Sequence, residues 1–102
     1  MPEQIIIRMP MDPAIQAEVE RRLAPHATLT YEPPAVLSLE AVQMTVEIAA
    51  GGLTMLKTLL ELREILKQQG RAADVALERP GEAIIPLEDA DEALLKTLLQ
   101  LE

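Results

Sequence analysis

Apolar and polar positions run along this chain in two rhythms, one of period two and one near three and a half. Gln4 to Met9 (Gln-Ile-Ile-Ile-Arg-Met) is a β-branched run cut by Pro10, which predicts a buried strand. Asp12 then caps a helix with Pro13 at its first position, where a missing N–H does no harm. Ile15, Val19 and Leu23 recur every four residues, giving one apolar stripe that stops at Pro25. Ala27 to Glu32 alternates, with Ala27, Leu29 and Tyr31 on one side and Thr28, Thr30 and Glu32 on the other, as a half-buried strand does. Pro33-Pro34 ends it.

Ser38 is placed to cap a long helix running to about Gln69, with Gly70 as its stop. Ala72 to Glu78 predicts a further strand. Arg79-Pro80-Gly81-Glu82 has Pro and Gly at the two central positions of a type II turn. Ala83 to Leu87 returns as the partner strand, with Pro86 marking a sheet edge or bulge. Asp89 or Asp91 opens a last helix bearing Leu94, Leu95, Leu98, Leu99 and Leu101. The pattern predicts one α+β domain over residues 1–102: a four-stranded mixed sheet in the order β-α-β-α(long)-β-β-α, with helices packed on it.

The long helix holds most of the functional information. Advancing 100° per residue puts Leu39, Val42, Val46, Ala49, Leu53, Leu56 and Leu60 in one sector. Ala41, Met44, Ile48, Gly52, Met55, Leu59, Leu62 and Leu66 fall in a second. Both follow a 3-4 spacing, and together they exceed the ~100° stripe of an ordinary surface helix. One sheet face covers one sector. The other must meet the short helices, a second copy of the chain, or a different protein. Gly51 and Gly52 interrupt this helix at a cost of about 1 kcal/mol each relative to alanine, so they mark a close backbone contact, a bend, or a break into two helices.

Composition narrows the chemistry. Seventeen acidic and nine basic residues give a formal charge of −8, the opposite of what binding a phosphate backbone needs, so no nucleic-acid partner is expected. No cysteine is present, which removes disulfides, thiolate metal sites and thiol catalysis. With one His and one Ser, most nucleophilic constellations have no members. His26 follows Pro25 at a helix-to-strand junction as a connector, without a second ligand or a nucleophile. Arg21-Arg22 complements a helix C-terminus. No cofactor motif follows Gly51-Gly52, and no catalytic or metal site is expected. The longest uncharged piece, Ile48 to Leu56, is far below the ~20 residues of a membrane span. Met1-Pro2-Glu3 lacks the basic start of a secretion signal, so a cytoplasmic location is expected.

The densest charge cluster is Glu88-Asp89-Asp91-Glu92. Acids in a first helical turn complement its exposed N–H groups; the alternative is a weak oxygen-ligand site for a divalent cation. Residues 71–102 hold eight acids against three basic residues, enough to steer a basic partner surface.

The Ile-rich first strand, the Pro33-Pro34 linker, the long helix with Ala50-Gly51-Gly52-Leu53-Thr54 followed by Leu56, Leu59 and Leu60, the helix end with Arg63 and Lys67, the Pro80-Gly81 hairpin and the closing Leu-rich helix resemble the bacterial effector-associated constant component family. The resemblance implies a small non-enzymatic component of a bacterial conflict (anti-phage or self/non-self) system, encoded beside effectors, trypsin-like or caspase-like peptidases among them. It carries over no catalytic residue, only Gly51 and Gly52 in a structural role. The leading expectation is an adaptor or regulatory subunit that binds an effector, and itself as a homo-oligomer, with Leu53, Leu56 and Leu60, or Met55, Leu59 and Leu62, as anchors. Two alternatives stand beside it: an inhibitor that holds an effector silent through the acidic C-terminal third, and a metal-dependent or enzymatic subunit using residues 88–92.

Overall fold

Three consecutive isoleucines leave the first segment little choice but an extended, buried conformation, and it becomes the central strand. In a computed structural model of the protein, which describes residues 4–31, 41–49, 51–79 and 84–100, β1 (Gln4–Pro10) buries Ile5, Ile7 and Met9 on one face and leaves Gln4 and Arg8 exposed on the other. Helix α1 (Pro13–Leu23) starts as its residues dictate. Asp12 is the cap and accepts from the Ala14 N–H at 2.9 Å; Pro13 opens the helix; Ile15, Val19 and Leu23 face inward. A 3₁₀ turn at Ala24–His26 leads into β2 (Ala27–Tyr31), on which Ala27 and Leu29 lean on the core.

The segment expected to begin the long helix is a strand. β3 (Ala41–Ile48) lies between β1 and β2. Its register sets Met44 opposite Ile7 and Val46 opposite Ile5, and puts Leu29 of β2 across from Val46. Val42, Thr45, Val46 and Ile48 are β-branched, which suits a pleated surface better than a helix. Packed between two neighbours, the segment gains more as a strand than its 3-4 spacing would gain in a helix. The helix proper is α2 (Gly52–Gln68). Ser38, Leu39 and Pro33-Pro34 lie outside the described residues.

Gly51 is therefore not within a helix, and the expected contact, bend or break between two helices gives way to a junction between a strand and a helix. It is the N-cap of α2 in an extended conformation, and a Cβ there would meet nothing within 4 Å. The other end follows the expected stop. Gly70 is left-handed (φ +71°), the Arg71 N–H donates to the Leu66 carbonyl at 2.8 Å, and the Gly70 N–H donates to the Lys67 carbonyl at 3.0 Å. This is a Schellman closure, in which a glycine is favoured.

After a 3₁₀ turn at Ala72–Asp74, β4 (Ala76–Glu78) pairs with β1, and β5 (Ile84–Pro86) pairs with β4. Pro86 sits on the sheet edge, as its missing donor requires. The turn residues Pro80, Gly81 and Glu82 lie outside the described residues. A 3₁₀ turn at Leu87–Asp89 precedes α3 (Glu92–Leu98), which Asp91 caps by accepting from the Leu94 N–H at 2.8 Å.

The protein is thus α+β, and the expected four-stranded mixed sheet is instead five-stranded and antiparallel throughout, in the order β2-β3-β1-β4-β5. One face shares a single apolar cluster with all three helices; it includes Ile15 and Val19 of α1, Leu59 and Leu62 of α2, and Leu95 and Leu98 of α3. The opposite face presents Gln4, Arg8, Thr28, Thr30 and Glu47 to solvent. Arg8 Nε donates there to Glu78 Oε2 at 3.0 Å.

The two helix-end glycines predict opposite responses. Gly70→Ala forces a side chain into a left-handed position and should cost about 1 kcal/mol. Gly51→Ser adds a capping oxygen in open space and should gain a few tenths of a kcal/mol, roughly 0.3. Urea midpoints at constant slope measure both; equal losses would contradict the assignment of Gly51 as a cap.

Candidate functional surface on the second helix

With the preceding segment in the sheet, α2 still has two apolar seams, and their fates differ. Met55, Leu59, Leu62 and Leu66 are fully buried against the sheet and the other helices. Burying each stabilises the fold by roughly 2 kcal/mol as an upper estimate. Thr58 is buried with them, and its hydroxyl donates to the Thr54 carbonyl one turn back at 2.8 Å, so its polarity is satisfied within the helix. Of the six anchor candidates, Met55, Leu56, Leu59 and Leu62 are thus occupied inside the chain.

The other seam turns outward only at its start, at Leu53. Leu53, in the first turn, is 74% exposed; Leu60 is half-buried; Leu56, at 5% exposure, forms the base between them. With Lys57, Glu61 and Glu64 of the same helix and Glu92 of α3, these three leucines line a shallow depression of about 430 Å³. Its floor is aliphatic and its rim carries three carboxylates against one ammonium. Such a surface accepts an apolar side chain flanked by basic groups.

Contacts that pattern reading does not reveal tie α2 and the residues after it to distant segments. Arg63 reaches from α2 to the turn before α3, where its Nε donates to the Leu87 carbonyl at 3.2 Å and a terminal nitrogen donates to the Glu88 carbonyl at 3.0 Å. Two charge-assisted bonds from one guanidinium fix the entry to α3 relative to α2. At the other end of α2, Arg71 joins two distant segments: Nε donates to Asp74 at 2.7 Å and a terminal nitrogen donates to Asp12 at 3.0 Å. The Asp12 carboxyl is held below the ordinary aspartate pKa by the Ala14 N–H that it caps, and further by Arg71. The Arg71 guanidinium is correspondingly raised by its bonds to Asp74 and Asp12. A lone arginine after a helix stop offers no signal of this in sequence.

The acidic cluster is dispersed by the fold. Glu88 and Asp89 lie in the 3₁₀ turn, Asp91 caps α3, and Glu92 faces Lys96 at 3.7 Å. Among the described residues no group of three or more His, Cys, Asp or Glu side chains converges as a metal site would. Asp91 thus does the capping that first-turn acids favour. His26 is half-buried in its 3₁₀ turn, and its carbonyl accepts from the Ala49 N–H at 3.0 Å. Arg21 and Arg22 stand in the last turn of α1, where both pair with Glu18. Among the described residues no helix is long and apolar enough to cross a membrane.

Comparison of the chain with protein-family models, with curated proteins and with solved structures gives no match.

The two seams separate under substitution. Leu59→Ala should lower unfolding free energy by about 3 kcal/mol, the cost of a core cavity. Leu53→Ala should change it by no more than about 0.5 kcal/mol, as at an ordinary surface position. Chemical denaturation of both variants measures this; a large loss at Leu53 would mean that the outward seam is covered within the chain.

Proposed function

We propose that this protein is a non-enzymatic adaptor or regulatory component that binds an effector protein through the outward seam of α2. The observation carrying this reading is Leu53, a large aliphatic side chain three-quarters exposed beside Leu56 and Leu60 in a depression with an acidic rim. Ordering an aliphatic seam at the surface brings the isolated chain little; covering it with a partner's side chain removes it from water. The carboxylates of Glu61, Glu64 and Glu92 select for a partner whose matching knob is ringed by lysine or arginine, and they steer its approach. The excess of acids over bases in residues 71–102 strengthens that field.

The biological setting rests on the likeness of the Ile-rich first strand, Ala50-Gly51-Gly52-Leu53-Thr54 followed by Leu56, Leu59 and Leu60, and the closing Leu-rich helix to the effector-associated constant component family. On that reading the partner is an effector of a bacterial conflict system, a peptidase of the trypsin-like or caspase-like kind, encoded beside this chain. The protein contributes no catalytic group; it positions or restrains the effector. Dispersal of residues 88–92 into a turn, a cap and an ion pair favours this over a metal-dependent reading.

The test is titration calorimetry with the purified effector encoded by the adjacent gene. Binding should be saturable and should weaken as salt rises. Leu53→Asp should reduce affinity at least about tenfold, since a buried interface anchor is worth more than 1.4 kcal/mol, while leaving the melting temperature unchanged. Binding that ignores this substitution would remove the seam from the interface, and no binding to the adjacent effector would remove the reading.

A further inference from the structure

The two edges of the sheet are not alike. At one, β5 is three residues long and ends in Pro86, which blunts it against further pairing. At the other, β2 is five residues, Ala-Thr-Leu-Thr-Tyr, with neither proline nor charge, and among the described residues nothing pairs with its outer side. Natural edges are normally guarded by lysine, proline or a bulge. Among the described residues this one has none of them.

The register shows which backbone groups face outward. The Ala49 N–H donates to the His26 carbonyl, so His26 and Ala49 form a hydrogen-bonded pair of the antiparallel ladder. Alternation then makes Thr28–Glu47 and Thr30–Thr45 the bonded pairs between β2 and β3. The N–H and C=O groups of Ala27, Leu29 and Tyr31 therefore point away from β3, along the open edge. Their side chains lie on the helix-facing side, where Ala27 and Leu29 pack on the core, while Thr28 and Thr30 stand exposed on the opposite face.

We infer that β2 pairs antiparallel with β2 of a second copy of this chain, about a two-fold axis at Leu29. In that register Ala27 faces the partner's Tyr31, Leu29 faces its own counterpart, and Tyr31 faces the partner's Ala27. All three are bonded pairs, so every outward backbone group of the edge is satisfied and the five-stranded sheet doubles into one continuous sheet. Thr28 meets the partner's Thr30 twice on the open face, a favourable β-branched pairing. The interface is isologous and closes on itself.

A strand of some other protein would satisfy the same backbone groups; charge favours a second copy. The chain carries a formal charge of −8, so most of its surface repels a copy of itself. Residues 24–31 contain no Asp, Glu, Lys or Arg, which makes this edge a place where two copies meet without opposed like charges. The acids flanking it on α1 are already engaged, because the Tyr31 hydroxyl donates to Glu20 and Glu18 pairs with Arg21 and Arg22. The proposal is independent of effector binding, which uses the far side of α2.

Sedimentation equilibrium of the full chain tests it, with far-ultraviolet circular dichroism confirming that each variant keeps the wild-type secondary structure. The wild type should show twice the 11.2 kDa chain mass. The double substitution Thr28→Lys, Thr30→Lys sets lysine opposite lysine in both cross-strand pairs and should raise the dimer dissociation constant about tenfold or more. The double substitution Thr28→Lys, Thr30→Glu sets lysine opposite glutamate in both pairs and should restore the dimer. A monomeric wild type, a lysine–lysine variant that dimerises like the wild type, or a lysine–glutamate variant as weak as the lysine–lysine one would each overturn the proposal.

Discussion

The pairing of β3 against β1 is the constraint on which the rest of the molecule depends. Val42, Met44 and Val46 sit opposite Met9, Ile7 and Ile5, so both strands turn their large aliphatic side chains to the same face. A slip of one residue would send the whole set to the polar face. With the register held, the sheet has one apolar side, and the three helices have a single surface on which to bury their stripes. The aliphatic core needs no aromatic ring because the helices and the sheet meet over a broad area filled with Ile, Leu, Val and Met.

That constraint also decides what remains for function. Once residues 41–48 are committed to the sheet, α2 begins at Gly52 and must bury Met55, Leu59, Leu62 and Leu66 beneath it. Leu53 is then left exposed above Leu56 of the core and half-buried Leu60, and α3 with Glu92 forms the wall of the depression. The same commitment makes β2 an outer strand whose far side pairs with nothing among the described residues. The surplus apolar circumference of the sequence is thus partly absorbed by the fold and partly left on one helix face, in an otherwise acidic protein.

Local signals spoke clearly where they were local. Asp12 with Pro13, the spacing of Ile15, Val19 and Leu23, Gly70 at a helix end and Pro86 at a sheet edge each act through a neighbour a few residues away, and each stands where its chemistry puts it. The stretch from Val42 to Ile48 was ambiguous because its apolar residues satisfy both periods: every second residue is apolar, and the same residues continue the 3-4 spacing of α2 backwards. Tertiary pairing settled it, since β1 supplied a partner that no local pattern encodes. The clamps made by Arg63 and Arg71 were illegible for the same reason, as the acceptors that join distant segments, Leu87, Glu88 and Asp12, lie 24 to 59 residues away. The depression on α2 was half-legible: the two seams could be drawn, but not which one the sheet would cover.

The claim that residues 41–48 are a strand between β1 and β2 is tested most directly by nuclear magnetic resonance of the full chain. Close Hα–Hα contacts are expected between Ile6 and Thr45 and between Arg8 and Gln43, the non-bonded pairs of the β1–β3 ladder, with extended-type carbon shifts from Val42 to Ile48. A run of sequential amide–amide contacts and helical shifts continuing unbroken from residue 41 through Gly52 would contradict the account, because the helix would then be long and the sheet would lack its second strand.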